Sequence, residues 1–191
     1  MSTAAEKRLT VQEYLAIERA AETKSEFFDG EMFAMAGASR RHNLITTNSS
    51  REVSLQLKGR RCEVYTSDMR VKIITTGLYT YPDLVVVCGE PEFEDAEVDT
   101  LLNPTVLMEV LSESTEDYDR GRKLTHYRKI PSLREYLLIS QEEHLIEQFL
   151  RQSDGRWLLS EFRGLEATVS MPSIDCRLPL AEVYDKVELD H

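Results

Sequence analysis

The chain has 191 residues, 41% of them hydrophobic and 30% charged, a formal net charge of −11 and three cysteines. That length and balance point to one globular domain over 1–191, and no apolar run approaches the roughly 18 residues of a membrane span or forms the h-region of a signal peptide, so a cytoplasmic protein without a membrane partner is expected. Cys62, Cys88 and Cys176 are scattered with no C-x-x-C pair, which disfavours a disulfide framework and a zinc site. The net charge opposes strong nonspecific binding to phosphate, although bases cluster at Arg40-Arg41, at Lys58-Gly59-Arg60-Arg61 and over 120–129, leaving a local basic surface open. The acidic stretch over 90–99 reads as a solvated loop.

In chain order, Thr10-x-x-Glu13 is a capping box that opens a helix through about Ala21, with Val11, Tyr14, Leu15 and Ile17 as its buried stripe. Residues 25–35 read as two strands folded about Asp29-Gly30, a favoured hairpin turn. Ser39 caps a second helix running to about Leu57, with Leu44, Ile45, Val53, Leu55 and Leu57 on its apolar side. Strands follow at about 63–65, 69–74, 83–88 and 105–111, then a helix over about 116–130 stopped by Pro131. Residues 134–139 form a central strand, and 144–151, 156–162 and 173–178 form an antiparallel meander, with a last helical turn near 179–184. The strand–helix–strand unit around Glu109, the 116–130 helix and Leu138 makes a plausible crossover, so the fold class is α/β or α+β with a central mixed sheet flanked by helices.

Two of these strands, Tyr81-Pro82-Asp83-Leu84-Val85-Val86-Val87 and Pro104-Thr105-Val106-Leu107-Met108-Glu109-Val110-Leu111, are apolar except for one carboxylate each. Burying an unpaired carboxylate costs several kcal/mol, so a shared cation, foremost a metal, is implied. Alternation puts Glu109 on one face with Leu107 and Leu111. From Glu109 to the strand end is about 10 Å at ~3.3 Å per residue, and Lys123 lies about 10 Å into a helix that folds back at ~1.5 Å per residue. Lys123 can therefore lie over Glu109, with Asp119 and Tyr127 on its face. Two carboxylates and an amine suit Mg²⁺- or Mn²⁺-assisted phosphodiester cleavage. The residues alone leave a structural Glu109–Lys123 ion pair equally open.

The sequence also resembles a known family. T-V-x-E-Y-L at the start, F-D-G-E, R-H-N, Y-P-D-L-V-V-V, P-T-V-L-M-E-V-L-S-E-S-T, D-R-G-R-K and L-P-L-A-E-V-Y together are similar to the bacterial Uma-two family of restriction endonucleases, in the PD-(D/E)XK nuclease superfamily. The resemblance implies a restriction-endonuclease-like core with an N-terminal hairpin and a C-terminal antiparallel meander. It implies Asp83, Glu109 and the Val110 carbonyl as ligands of Mg²⁺ or Mn²⁺. The superfamily's lysine slot, two residues after the Glu, holds Leu111 here, so Lys123 is the migrated lysine. Glu31, in D-G-E, and His42 are expected to complete the catalytic site, while alternation places Glu26 with Phe28 rather than on a defined site face. Arg40, Arg41, Arg120 and Arg122 are the expected contacts to nucleic acid, DNA in the first instance. Many family members have proline where this chain has Glu113. A homodimer would suit two-strand cleavage, and a catalytically silent binding or assembly module that keeps the fold is the alternative.

Overall fold

The computed structural model describes residues 8–112 and 115–189. The capping box opens α1 (Val11–Ala20) as expected, the Thr10 amide donating to Glu13 at 2.8 Å and the Glu13 amide to Thr10 Oγ1 at 3.2 Å. Its inner face carries Tyr14, Leu15 and Glu18, while Ile17 is 45% exposed. Glu18 sits four residues after Tyr14, so the 3.6-residue period puts the acid inside in place of Ile17. Strands β1 (Ser25–Phe28) and β2 (Glu31–Ala34) form the hairpin, turning through Asp29 and Gly30 with φ of 50° and 84°. Both central residues are left-handed, as the tight two-residue turn requires.

Helix α2 (Arg40–Leu57) starts from Ser39, whose hydroxyl accepts the His42 amide at 3.0 Å. It buries Ile45, Val53 and Leu57 as expected, but Leu55 is 63% exposed and Asn48 and Ser49 are buried instead. Asn48 is held inside by donating to the carbonyls of Val183 and Asp185.

The remaining strands are β3 (Cys62–Thr66), β4 (Arg70–Ile73), β5 (Leu78–Thr80), β6 (Leu84–Cys88), β7 (Thr100–Leu101), β8 (Val106–Val110), β9 (Glu135–Ile139), β10 (Leu145–Arg151), β11 (Trp157–Arg163), β12 (Thr168–Met171) and β13 (Cys176–Pro179). A six-stranded mixed sheet has the order β11-β10-β9-β8-β6-β3, with β8 and β9 parallel and its other neighbours antiparallel. A five-stranded sheet, β2-β1-β5-β4-β7, packs beside it. The short β5, β7 and β12 carry no two-residue period long enough to read from sequence. The third limb of the expected meander does not join the main sheet; β13 pairs with β12 as a separate ribbon.

The crossover between β8 and β9 is α3 (Glu116–Tyr118), a π-helical turn (Asp119–Lys123) and α4 (Leu124–Tyr127), closed by i→i−3 bonds into Lys129 and Ile130 ahead of Pro131. One face of the main sheet packs Val106, Met108 and Val110 against Ile45 and Val53 of α2 and the C-terminal ribbon, with α5 (Leu180–Val183). The other packs Leu107, Leu111, Tyr136 and Leu138 against Leu78, Leu124 and Tyr127. Glu109 belongs to this second face by alternation.

Two expectations are overturned. The acidic stretch is not merely solvated: Asp95 and Asp99 pair with Arg19 at 2.8 Å each, Asp99 with Arg70 at 2.9 Å, and Glu94 with Lys72. The guanidinium of Arg19, chiefly, holds the Asp99 carboxyl well below the usual range. Cys62 and Cys88 form a disulfide, because the β3–β6 register sets them directly opposite with Cα atoms 4.0 Å apart. Their 26-residue separation hides that proximity in the sequence. Denatured, unreduced protein is expected to show one titratable thiol, that of Cys176, and Cys62→Ser/Cys88→Ser to lose about 2–4 kcal/mol of unfolding free energy. Three thiols in that titration would remove the bridge.

Candidate active site

Glu109 lies on β8, a strand buried at every position, and is 4% exposed. Lys123 Nζ is 2.8 Å from Glu109 Oε1, and the Tyr127 hydroxyl donates to the same oxygen at 2.7 Å. The same ammonium stands 3.3 Å from Glu26 Oε1 on β1 and 3.3 Å from Asp119 Oδ1. Thr80, on β5, donates its hydroxyl to Glu26, and the Tyr136 hydroxyl donates to the Asp119 carbonyl at 3.3 Å. Lys123 thus lies over Glu109 as the length of strand and helix predicts, with Asp119 and Tyr127 on its side. A π-helical turn carries Asp119 and Lys123, an uncommon geometry that recurs at functional sites.

Asp83 stands immediately before β6. Its Oδ2 accepts the Val110 amide at 2.7 Å and lies 3.1 Å from His42 Nε2. The β6–β8 register closes at Leu84↔Met108; continued, it would set Pro82, which has no N–H, opposite Val110. The Asp83 side chain takes the amide that the ladder leaves. A residue's amide and carbonyl project to the same side of a strand, so the Val110 carbonyl points toward Asp83 as well. Ser39 donates to Gln141 Oε1 at 2.5 Å and Gln141 Nε2 to the Leu111 carbonyl at 2.6 Å, which fixes the start of α2, and with it His42, against the end of β8.

The charges do not balance. Burial, reinforced by Asp119 and Asp83, pushes the Glu109 carboxyl up to about 8 although Lys123 opposes the shift. Burial also raises Asp119. The acids around Lys123, Glu109 first and then Glu26 and Asp119, outweigh its own desolvation and hold it well above the ordinary lysine value. Three acids, Glu109, Glu26 and Asp119, therefore meet at one fixed cation, and Asp83 stands beside them against His42. Among the described residues no three His, Cys, Asp or Glu side chains converge into a protein-only metal cage. Magnesium, however, uses one or two carboxylates and keeps several waters, and Asp83, Glu109 and the Val110 carbonyl are hard-oxygen donors of the kind it takes.

Other expected site residues lie elsewhere. Glu31 is exposed on the edge strand β2, opposite Phe28, and none of these contacts includes it. Glu26, which alternation puts on no defined site face, is the buried hairpin acid that reaches Lys123. Arg120 is not available to phosphate: it pairs with Glu116 at 2.9 Å and with Glu147 of β10. Arg122 is exposed. Arg40 and Arg41 line an open cleft of about 460 Å³ with Ser39, Ser112 and Gln141, and Arg41 lies 3.6 Å from Glu142. Asp68 is an exposed partner of Lys24 at 2.9 Å. Glu113 and Ser114 lie outside the described residues; Thr115 stands at the cap of α3 with no side-chain capping bond. Thr80 and Gln141 carried no sequence signal, being brought in by pairing between distant elements.

Comparison with known proteins identifies the family and the fold. The Uma2 family, described as "Putative restriction endonuclease", matches residues 11–181. The chain belongs to the Uma2 family. Two relatives from Synechocystis sp. (strain ATCC 27184 / PCC 6803 / Kazusa) are "Uncharacterized protein sll1609", 42% identical over 88% of this chain and 96% of its own, and "Uncharacterized protein slr1290", 36% identical over 93% and 92%. A crystal structure of "a putative nuclease belonging to DUF820" from Anabaena variabilis ATCC 29413 superposes with a TM-score of 0.77 at 18% identity, covering 94% of this chain and 99% of that one. This Uma2 chain therefore has the mixed α+β fold of that neighbour.

The Glu109 shift has a consequence for stability. Its folded value of about 8 lies above the ordinary value of 4.5, so between the two the folded state holds a proton that the unfolded state has lost, and stability falls as pH rises through this window. In chelator, the melting temperature of the wild type is expected to fall from about pH 5 to about pH 8 more steeply than that of Glu109→Gln. Parallel slopes for the two proteins would show that Glu109 does not titrate there.

Proposed function

We propose that this Uma2 protein is a divalent-metal-dependent nuclease that hydrolyses phosphodiester bonds, DNA being the first substrate to test. The observation that carries the reading is the placement of Lys123 on Glu109, with Asp83 and His42 at the open edge of the same pocket. Asp83, Glu109 and the Val110 carbonyl would hold Mg²⁺ or Mn²⁺. When bound, that cation supplies Lewis-acid polarisation of the scissile phosphate and offsets its charge.

The chain's own residues do the rest. Three carboxylates keep Lys123 an ammonium, so it acts as a charge donor to the pentavalent phosphate or to the water that attacks it, not as the group that removes a proton. Tyr127 and Lys123 engage Glu109 Oε1, which leaves Oε2 for the cation. His42 Nε2 holds Asp83 Oδ2 against rotation. Water adds to phosphorus, the ester oxygen leaves with a proton, and the ends are a phosphomonoester and a hydroxyl. A homodimer would present two such sites to the two strands of a duplex.

A silent binding module with the same fold is the second reading, favoured by the net charge of −11 and by how fully the acids occupy Lys123. Calorimetric titration separates the two: the nuclease binds Mn²⁺ with micromolar to low-millimolar affinity and Asp83→Ala does not. In a plasmid-nicking assay with Mn²⁺, Asp83→Ala, Glu109→Gln and Lys123→Gln are each expected to lose roughly 10²-fold or more of the wild-type rate, with circular dichroism confirming their folds. Equal nicking by wild type and Asp83→Ala would assign the activity to a contaminant and end this reading.

A further inference from the structure

The outer side of the crossover has no part in the pocket that holds Lys123. There Arg128 and Lys129, just past α4, and Arg151, Arg156 and Trp157 at the β10–β11 turn line an open groove of about 760 Å³. Arg128 and Lys129 are exposed and meet no carboxylate among the described residues. Arg151 donates to the carbonyls of Pro131 at 3.0 Å and Arg128 at 2.6 Å, and its guanidinium lies 4.8 Å from the centre of the Trp157 ring. Arg134 is near enough that its charge, added to burial, lowers the Arg151 pKa. Among the described residues the acid that meets this group is Asp154, held by Arg156 at 2.6 Å.

Bases at a helix C-terminus offset the exposed carbonyls there, which accounts for Arg151. It does not account for Arg128 and Lys129, whose side chains stand free beside further positive charge in a chain that is strongly acidic overall. Like charges held together without counter-charges are unfavourable unless an anion joins them. Donors presented by two separate elements along an open groove suit a string of phosphates better than one small anion, which a closed, converging pocket would hold. An arginine-backed tryptophan beside them is the aromatic element common in surfaces that take nucleic-acid strands.

We propose that this groove is a second phosphate-binding surface, gripping the backbone of a nucleic-acid strand on the opposite side of the crossover from Lys123. The choice of ligand rests on the nuclease reading; the groove and its unmatched charge do not. Trp157 is the chain's one tryptophan, so its fluorescence reports the groove directly.

The test is a fluorescence titration of the full chain with a short single-stranded DNA in excess chelator, where no cleavage occurs. Saturable quenching is expected in the wild type and in Asp83→Ala. Arg128→Gln/Lys129→Gln, its fold checked by thermal melting, is expected to bind roughly 10-fold or more weakly and to lower the log-affinity against log-salt slope by about 1.4, about 0.7 for each phosphate no longer neutralised. No quenching in the wild type, or equal affinity and slope in the double variant, would overturn the proposal. Displacement of the strand by inorganic phosphate at matching concentration would overturn it too, leaving a small-anion site. Quenching without cleavage in Mn²⁺ supports the groove while removing the nuclease reading; cleavage without quenching does the reverse.

Discussion

The fold is organised around an ammonium that cannot reach bulk water. Lys123 is 5% exposed and draws Glu26 from β1, Glu109 from β8 and Asp119 from its own π-helical turn onto one nitrogen. Those contacts bind the hairpin of the small sheet, the centre of the large sheet and the crossover into one unit. Breaking a buried pair by removing one partner costs about 3–5 kcal/mol, yet replacing a whole buried ionic group with well-packed apolar residues is often neutral or stabilising. Stability alone therefore does not explain why a core of tyrosines and aliphatics surrounds four charges. A site where three acids meet one ammonium is consistent with the further cation of the proposed reading.

The parts of this arrangement that were legible in sequence are those set by local geometry. Alternation placed Glu109 on a definite face, and the lengths of half a strand and half a helix brought Lys123 over it. Asp83 was visible because a lone acid before an apolar strand is anomalous. Glu26 and Glu31 were exchanged for the opposite reason: three of the four residues of β1 are buried, so alternation along it does not name an inner face. The choice is made by β5, which pairs Phe27 with Tyr79 and brings Thr80 against Glu26. The Cys62–Cys88 bridge and the Arg120–Glu147 pair follow the same logic, since each depends on which strand or helix lands beside which. The π-helical turn had no signal, because the sequence periods for α and π turns differ by too little over five residues.

Net charge was the least faithful guide. Part of the chain's acid is committed to ion pairs: Asp95 and Asp99 to Arg19 and Arg70, Glu94 to Lys72, Glu147 and Glu116 to Arg120, and Glu109, Glu26 and Asp119 to Lys123. A phosphate approaching within a Debye length, about 8–10 Å, responds to nearby charge and not to the total. Near Ser39 it meets Arg40 and a partly engaged Arg41; near the β10–β11 turn it meets bases with a single acid among them. An acidic total and a local surface that attracts phosphate are compatible because the phosphate responds to the few charges within that range.

The same separation limits what each region can do. The pocket around Lys123 is strongly desolvated, so its charges act at full strength on a group that enters it and contribute little to drawing a strand from solution. The exposed bases are screened by salt and suited to capture, but too well solvated to stabilise a transition state by several kcal/mol. On the proposed reading, capture and chemistry fall to different residues for a dielectric reason, with Asp83 and His42, 13% and 16% exposed, at the less buried edge of the charge network. On the proposed reading, a strand held by the bases would have to present its phosphate at that edge, where solvent reaches the buried charge network.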